Sequence, residues 1–169
     1  LRRDASSRFH RVGRDRVRRD CGWRGEFVVH DHHHAVSEWQ ARDLYDWVTD
    51  VFAVPAIKLK PGCTNDIRAH ISSEFEKEGW ALNVKIDQEL RNTISAIKDD
   101  LAFQIQTGNM SRAPYDLLKL QYLFQSKRIS TAAFALPTKL AASKIGSNVA
   151  YFERICKELT VFDRVITVP

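Results

Sequence analysis

Residues 93–112 read TISAIKDDLAFQIQTGNMSR, and this stretch decides the fold. Two runs, 93–97 and 101–106, alternate along their length and are joined by a polar turn, and a Gly-Asn pair then opens a helix. Because the side chains of a strand alternate between its two faces, Gln104 and Gln106 point in the same direction. The stretch therefore predicts a strand, a tight turn, a strand and a helix, which together hold two amide side chains on one face.

The same periodicities predict elements on both sides of this hairpin. A strand, helix, strand crossover is right-handed and makes its two strands parallel. We therefore expect an α/β fold, in which a mixed sheet combines an antiparallel hairpin with a parallel crossover strand and carries helices on both faces. The predicted helices are 39–52, the stretch from Thr64 or Asn65 to Lys77, 110–125 and 147–159, and the predicted strands outside the hairpin are 80–86, 130–136 and 164–168.

Length and composition fit one small domain. A chain of 169 residues is long enough for one core and too short for two, so we expect residues 26–169 to form a single domain, which we interpret as a truncated copy at its C-terminus. No apolar run approaches the ~18 residues that span a bilayer. Three widely spaced cysteines without a CxxC pair argue against a disulfide framework and against a zinc site. A reducing, cytoplasmic setting is the default expectation.

The positive charge of the chain lies at its N-terminus. Residues 1–25 hold nine Arg and three Asp, whereas the remaining residues are close to neutral, so the net charge of +5 does not by itself indicate nucleic-acid binding. We expect this Arg-rich leader to be disordered. It is either a basic arm that contacts phosphates or an incidental upstream extension, and we favour the extension.

The segment 30–34 reads HDHHH and could bind a transition metal, because neutral imidazole is a common ligand. Consecutive side chains alternate around the chain, however, and no second ligand pair lies at a helical spacing. These imidazoles therefore cannot all face one ion. We interpret the segment as structural, and a structural protein that binds a metal through it is the least favoured function.

The sequence QIQTGN at 104–109, followed by Arg112, resembles the restriction endonucleases of the BglII and BamHI type, within the PD-(D/E)xK nuclease superfamily. Members carry an Asp on the first hairpin strand and an acid-x-Gln or acid-x-Glu triplet on the next. The resemblance covers roughly 27–169 and is best at 94–119 and at 145–168. It implies the restriction endonuclease fold, Mg²⁺ as the cofactor and double-stranded DNA as the substrate.

Two positions depart from the pattern of this family. The acid of the triplet is replaced by Gln104, and the hairpin Asp falls on Ser95 if the strands pair without an insertion; in an alternative alignment Asp87 takes that role. Gln106 matches the BglII pattern, in which its amide orients the attacking water. The resemblance thus implies catalytic positions at Asp87, Ser95, Gln104 and Gln106, and Mg²⁺ ligands at Asp87, Gln104 and Glu76. Since Mg²⁺ is usually held by one or two carboxylates, Gln104 removes a charge where the family holds its metal.

Polar residues near the hairpin are candidates for contacts with DNA phosphates. Arg112 lies in the first turn after Asn109, where the free backbone N–H groups of a helix start also favour an anion. An ordinary interpretation as surface charge is equally open for it. We expect DNA contacts from Lys98, Asn109, Arg112 and Lys119.

Two functions remain open at this point. The first is a Mg²⁺-dependent type II restriction endonuclease that hydrolyses phosphodiester bonds of double-stranded DNA, as a homodimer because a symmetric target requires a two-fold protein. The second is a catalytically inactive descendant that keeps the fold and DNA binding but has lost cleavage through Gln104 and Ser95.

Overall fold

The computed structural model describes residues 10–11, 28–52, 57–89 and 91–169. Within these ranges the chain forms a mixed sheet with helices, and the predicted α/β class is confirmed. The expected leader, 1–25, lies outside the described residues except for 10 and 11, so its disorder stays a prediction. None of the helices in the described part is long and apolar enough to cross a lipid bilayer.

Two short strands, β1 (His10–Arg11) and β2 (Val28–Val29), pair antiparallel with each other. The main sheet contains β3 (Ala81–Lys85), β4 (Thr93–Lys98), β5 (Leu101–Ile105) and β6 (Thr131–Ala135), in that spatial order. β3, β4 and β5 are antiparallel neighbours, whereas β6 is parallel to β5. The predicted hairpin and the predicted parallel crossover strand are both confirmed.

The helices of the described residues lie on both faces of this sheet. They are α1 (Ala35–Gln40), α2 (Tyr45–Asp50), α3 (Thr64–Lys77), α4 (Ala113–Gln125), α5 (Lys139–Ile145) and α6 (Phe152–Val161), and a 3₁₀ turn, Met110–Arg112, precedes α4. One hydrophobic cluster joins the sheet to α4 and α6, and we call this side the α4 face. A second cluster joins the opposite side to α1, α2 and α3, and we call it the α3 face.

Two predicted helices have the wrong bounds. The predicted helix 39–52 is two short helices, because Asp43 between them adopts the left-handed φ of 55°. The predicted helix 147–159 begins only at Phe152, since residues 148–150 bond to the segment after β5: Met110 N donates to Asn148 O and Ala150 N donates to Gly108 O. The sequence also gave no indication of α5, which Thr138 caps by accepting a hydrogen bond from Ala141 N.

The predicted C-terminal strand, 164–168, is wrong. Val165 N and Ile166 N donate to Phe162 O in a turn. Gln121 Oε1 on α4 accepts hydrogen bonds from Thr167 N at 2.7 Å and Val168 N at 3.0 Å, so a side chain takes the place of a neighbouring strand there. Ile166 and Val168 are buried in the cluster of the α4 face. Residues 163–165 form a turn, and residues 166–169 are a strap over the core, tied to the sheet where Pro169 O accepts from Ala132 N.

The central strands are irregular at one level of the sheet. Leu82 and Ala96 pair with each other and pack on the α3 face, whereas the next pair, Val84 and Ile94, packs on the α4 face. A regular strand would place residues two apart on the same face. The residue between the two pairs on β3, Asn83, has a φ of 50°, which accounts for the change of face. Ser95 lies opposite, at the corresponding point of β4.

Candidate functional site

Ser95 and Gln104 meet at this irregular level. Gln104 is 7% exposed, and its Oε1 accepts hydrogen bonds from Ser95 N at 2.9 Å and from Ser95 Oγ at 3.0 Å. Ser95 Oγ in turn accepts from Ile105 N at 3.2 Å. Two side chains thus take the place of the backbone bonds that would join β4 and β5 here. The structure brings together two of the predicted catalytic positions, and both are neutral.

Gln106 follows the end of β5 and reaches α4. Its Nε2 donates to Asp116 Oδ2 at 2.7 Å, and its Oε1 accepts from Gly108 N at 2.8 Å. The other carboxylate oxygen of Asp116 lies 2.6 Å from Lys119 Nζ. Asp116 is 4% exposed, and Lys119 also donates to Thr93 O. We call Gln106, Asp116 and Lys119 the Asp116 cluster; it is a buried carboxylate held between an amide and an ammonium group.

Sequence reasoning missed the carboxylate of this cluster. Asp116 lies in register with the buried residues Ala113, Leu120 and Leu123 of α4, so it stands within the apolar stripe of the helix. An acid in such a stripe indicates a buried partner, and Lys119 at the i+3 position provides it. An acid within the apolar stripe, followed three residues later by a lysine, could therefore have indicated this buried pair from the sequence.

The remaining predicted metal ligands lie elsewhere. Asp87 is in the connection after β3, where its carboxylate accepts a hydrogen bond from Glu89 N, as in an Asx turn. Glu76 is exposed on α3. Arg68 near the start of α3 bonds to Thr107, and Lys98 bonds to Glu78 O beyond its end, so α3 runs antiparallel to β5. Glu76 therefore lies towards the hairpin turn rather than beside Gln106.

The four predicted DNA-binding residues have different surroundings. Lys119 is partly buried and paired within the Asp116 cluster, and Lys98 Nζ donates to Glu78 O at 2.7 Å. Asn109 Oδ1 accepts from Ser111 N at 2.9 Å and so caps the 3₁₀ turn. Arg112 is exposed in that turn. Arg112 and Asn109 are accordingly the two of the four that lie on the surface next to the triplet.

A small cavity of about 90 Å³ adjoins Ser95 on the α3 face. Its polar lining comes from Arg68, Ser72, Asn83 and Ser95, and the remainder is apolar. Arg68 also donates to Thr107 Oγ1 at 3.3 Å, so a guanidinium group lies beside the residue that follows the triplet. This cavity is lined by a cation and by neutral groups, which suits an anion or water better than a second cation.

The residues at the predicted triplet do not fit Mg²⁺. This ion prefers oxygen ligands that include carboxylates, whereas Ser95, Gln104 and Gln106 carry no charge. Gln104 Oε1 and Gln106 Oε1 each already accept hydrogen bonds within the protein. Among the described residues, the carboxylate bonded to this group is that of Asp116, and its charge is compensated by Lys119.

Comparison with known proteins places the chain in a family. The model of the family "Restriction endonuclease BglII/BglIII" matches residues 27–169. The chain belongs to this family. A search of curated proteins finds no match. Among solved structures, the chain is similar to the restriction endonuclease BglII complexed with a DNA 16-mer, with a TM-score of 0.56 and 15% identity; the match covers 61% of this chain and 51% of the endonuclease chain, about half its length.

Membership of the BglII family confirms the resemblance read from the triplet region. The likeness to the solved BglII endonuclease supports the same fold, with its central mixed sheet. Within that frame, this member has Ser95, Gln104 and Gln106 at the positions where the resemblance places catalytic groups. The Asp116 cluster provides the carboxylate that lies next to them.

Proposed function

We propose that this chain binds double-stranded DNA as a homodimer and does not cleave it through Ser95 and Gln104. Membership of a restriction endonuclease family supports DNA as the partner. The similar solved structure is that of an endonuclease complexed with DNA, which supports the same partner for this fold. The exposed Arg112 and Asn109, next to the triplet, are the contacts that we assign to the phosphate backbone.

An exposed apolar stripe on α4 supports the homodimer. Tyr115, Leu118 and Tyr122 are 48%, 52% and 49% exposed, and their spacing of three and four residues places them on one side of the helix. A two-fold axis beside α4 would pack this stripe against its copy, since a symmetric dimer uses the same patch on both subunits. Burying these side chains would remove apolar area from water and favour association.

One observation carries the proposal that cleavage is lost: Gln104 Oε1 accepts two hydrogen bonds from Ser95. Hydrolysis of a phosphodiester needs an activated water and neutralisation of charge on the phosphoryl oxygens, and a metal ion bound by carboxylates supplies both. Here a hydroxyl and an amide satisfy each other. A neutral pair of this kind exerts far less attraction on a divalent cation than a carboxylate does.

DNA binding and cleavage are tested separately. Fluorescence anisotropy with a pool of random-sequence duplexes should show binding that weakens with salt, and Arg112→Ala should weaken it and reduce the salt slope by about one. Lys157→Ala removes a charge that is also exposed, on α6, and should leave binding unchanged. Plasmid nicking with Mg²⁺ should stay at background. Salt-independent binding, or nicking by the unaltered chain, would contradict the proposal.

The dimer is tested by sedimentation of the unaltered chain and two variants. We expect a dimer at micromolar concentration, which Leu118→Glu converts to a monomer because a charge would be buried at the two-fold interface. Leu140→Glu introduces the same charge at a side chain that is 70% exposed on α5, and it should leave the dimer intact. A monomeric unaltered chain, with and without DNA, argues against the two-fold arrangement.

A second candidate function is the Mg²⁺-dependent DNA endonuclease that the resemblance implies. It is favoured by the buried carboxylate of Asp116, 2.7 Å from the Gln106 amide. If the unaltered chain nicks DNA with Mg²⁺, Asp116→Asn should abolish the activity, while Asp99→Asn, an exposed change in the hairpin turn, should not. Nicking that survives Asp116→Asn would exclude Asp116 as the group that replaces the lost acids.

A further inference from the structure

Two histidines and an aspartate converge at a place remote in sequence from the triplet. His32, His33 and Asp163 each offer a ligand atom, and these atoms all lie within 4.8 Å of one another. His33 Nε2 is 3.4 Å from Asp163 Oδ1. The histidines precede α1 and the aspartate follows α6, so the group joins segments that are about 130 residues apart in the chain.

The backbone of the histidine segment explains why neighbouring imidazoles come together. His33 and His34 adopt φ values of 49° and 66°, in the left-handed region that residues with a side chain rarely occupy. As a result the rings of His32 and His33 do not point apart as alternation would require; their centroids lie 4.2 Å apart. Backbone strain of this type is concentrated at functional sites in proteins.

The Nε2 atom of each ring lies at hydrogen-bond distance from a main-chain carbonyl oxygen. His32 Nε2 lies 2.7 Å from Ile166 O, and because a carbonyl oxygen only accepts, this nitrogen carries the proton. An imidazole held in this way keeps a lone pair on its other nitrogen, and histidines that bind metals are commonly oriented by such a carbonyl. His33 Nε2 lies 3.1 Å from Asp163 O and also faces the carboxylate of Asp163. In the metal-free protein this nitrogen carries a proton, and the proton lies where a bound cation would be.

We propose that His32, His33 and Asp163 bind Zn²⁺ or a divalent transition metal ion of similar preference. Two imidazoles and one carboxylate form a ligand set that suits zinc, which accepts three protein ligands with water in the fourth position. With zinc to ligand distances of about 2.0–2.1 Å, two ligand atoms of a tetrahedral site are roughly 3.3 Å apart. The separation of His33 Nε2 from Asp163 Oδ1, 3.4 Å, already has this value.

Binding would link the segment before α1 to the turn that leads into the strap over the core of the α4 face. When the ion binds, it takes the place of the proton on His33 Nε2, which is released to solvent, and it joins two chain segments that are linked by hydrogen bonds from His32 and His33 in the metal-free protein. An ion that binds the folded chain better than the unfolded chain raises the melting temperature. The inference is independent of DNA binding and of cleavage, because none of the three residues belongs to the triplet.

The test compares zinc binding by four forms of the full chain. Calorimetric titration with ZnCl₂ should show one site, zinc should raise the melting temperature, and Co²⁺ should give the visible absorption of a tetrahedral site. His33→Gln and Asp163→Asn should each lower the zinc affinity by about tenfold or more and remove the rise in melting temperature. His34→Gln changes an exposed neighbour outside the group. This variant should keep the zinc affinity and the rise in melting temperature of the unaltered chain.

Magnesium provides the matching control, since a site with two imidazoles disfavours an ion that prefers oxygen ligands. MgCl₂ should leave the melting temperature unaltered under the same conditions. Melting without metal shows that each variant folds; Asp163 is exposed, so its variant should melt as the unaltered chain does. The proposal is overturned if the unaltered chain binds no zinc, or if His33→Gln and Asp163→Asn bind zinc as tightly as His34→Gln.

Discussion

A carboxylate pairs with a cation at each end of the β4–β5 hairpin, yet the two pairs differ in burial. At the turn, Asp100 accepts hydrogen bonds from Arg42 Nε at 3.1 Å and Nη2 at 2.6 Å, and both side chains are partly exposed. At the opposite end, where Gln106 follows β5 and which we call the open end, the side chains of Asp116 and Lys119 are 6% and 11% exposed. The carboxylate of Asp116 is compensated inside the protein by Lys119, so it attracts Mg²⁺ less than an uncompensated carboxylate would.

The largest expected effect comes from breaking the buried pair. Lys119→Met leaves the Asp116 carboxylate buried without its cation, and loss of one partner of a buried pair costs about 3–5 kcal/mol. We expect the free energy of unfolding to fall by that amount in denaturant titration. The control, Lys77→Met, breaks an exposed pair with Glu74 and should change the free energy of unfolding far less, because solvent screens that pair. If the two variants lose equal free energy of unfolding, the Asp116–Lys119 pair is not buried as the structure indicates.

A smaller effect is expected when a charge is returned to the open end. Gln104→Glu places a carboxylate at a side chain that is 7% exposed, and without metal the free energy of unfolding should fall by roughly 2 kcal/mol at pH 8. Mg²⁺ at a hundred times its dissociation constant should raise the free energy of unfolding of this variant by about 2.7 kcal/mol. Gln125→Glu makes the same change at an exposed position of α4. It should not lower the free energy of unfolding without metal, and Mg²⁺ should not raise it.

A double variant tests whether the missing charge alone prevents Mg²⁺ binding at the open end. Ser95→Asp combined with Gln104→Glu restores both acids of the family pattern, and we expect Mg²⁺-dependent plasmid nicking to rise above background with the gain in stability. Stability that is insensitive to Mg²⁺ in this double variant would show that the geometry of the open end, and not only its charge, is unsuitable for the metal.

The smallest effect concerns pH at the turn. Hydrogen bonds from Arg42 and then from Ser130 hold the pKa of Asp100 below its ordinary value of 3.8. The contribution of this carboxylate is therefore present above pH 3.8 and is lost as the pH falls through the lowered pKa. Because the pair is partly exposed, Arg42→Met should remove less than about 1 kcal/mol at pH 6, and the difference between unaltered chain and variant should shrink as the pH is lowered stepwise below 3.8. A difference that does not change over the whole acid range in which the chain stays folded would assign the effect to packing.

Much of the fold could be predicted because the hairpin and its crossover depend on local patterns. The alternation of 101–106 and the apolar stripe of α4 are each visible within one element. The prediction of a C-terminal strand failed because alternation alone does not say which group accepts from the backbone amides, and here Gln121 accepts from two of them. The break at Asp43 depends on one residue in the left-handed region, for which the sequence offers only a weak preference.

The candidate site was predictable in position and less so in its chemistry. The triplet and its neighbour Asn109 follow from the resemblance, but the partners of Gln106 depend on how α4 packs on the sheet. Asp116 and Lys119 are ten residues or more away in sequence, and nothing in the hairpin itself indicates them. Likewise, the change of face at Asn83 leaves no trace in the alternation of β3, because the strand keeps its apolar residues at every second position.

At the irregular level of the sheet, two backbone amides are bonded to side chains: Ser95 N to Gln104 Oε1, and Ile105 N to Ser95 Oγ. Exchange of an amide hydrogen with deuterated solvent is slow when its acceptor is fixed, and it becomes fast when the bond opens locally. Most amides of the central strands are held by carbonyl groups that any substitution leaves in place. These two amides instead depend on two side chains, so their exchange rates would report the state of the candidate site from within the most protected part of the protein.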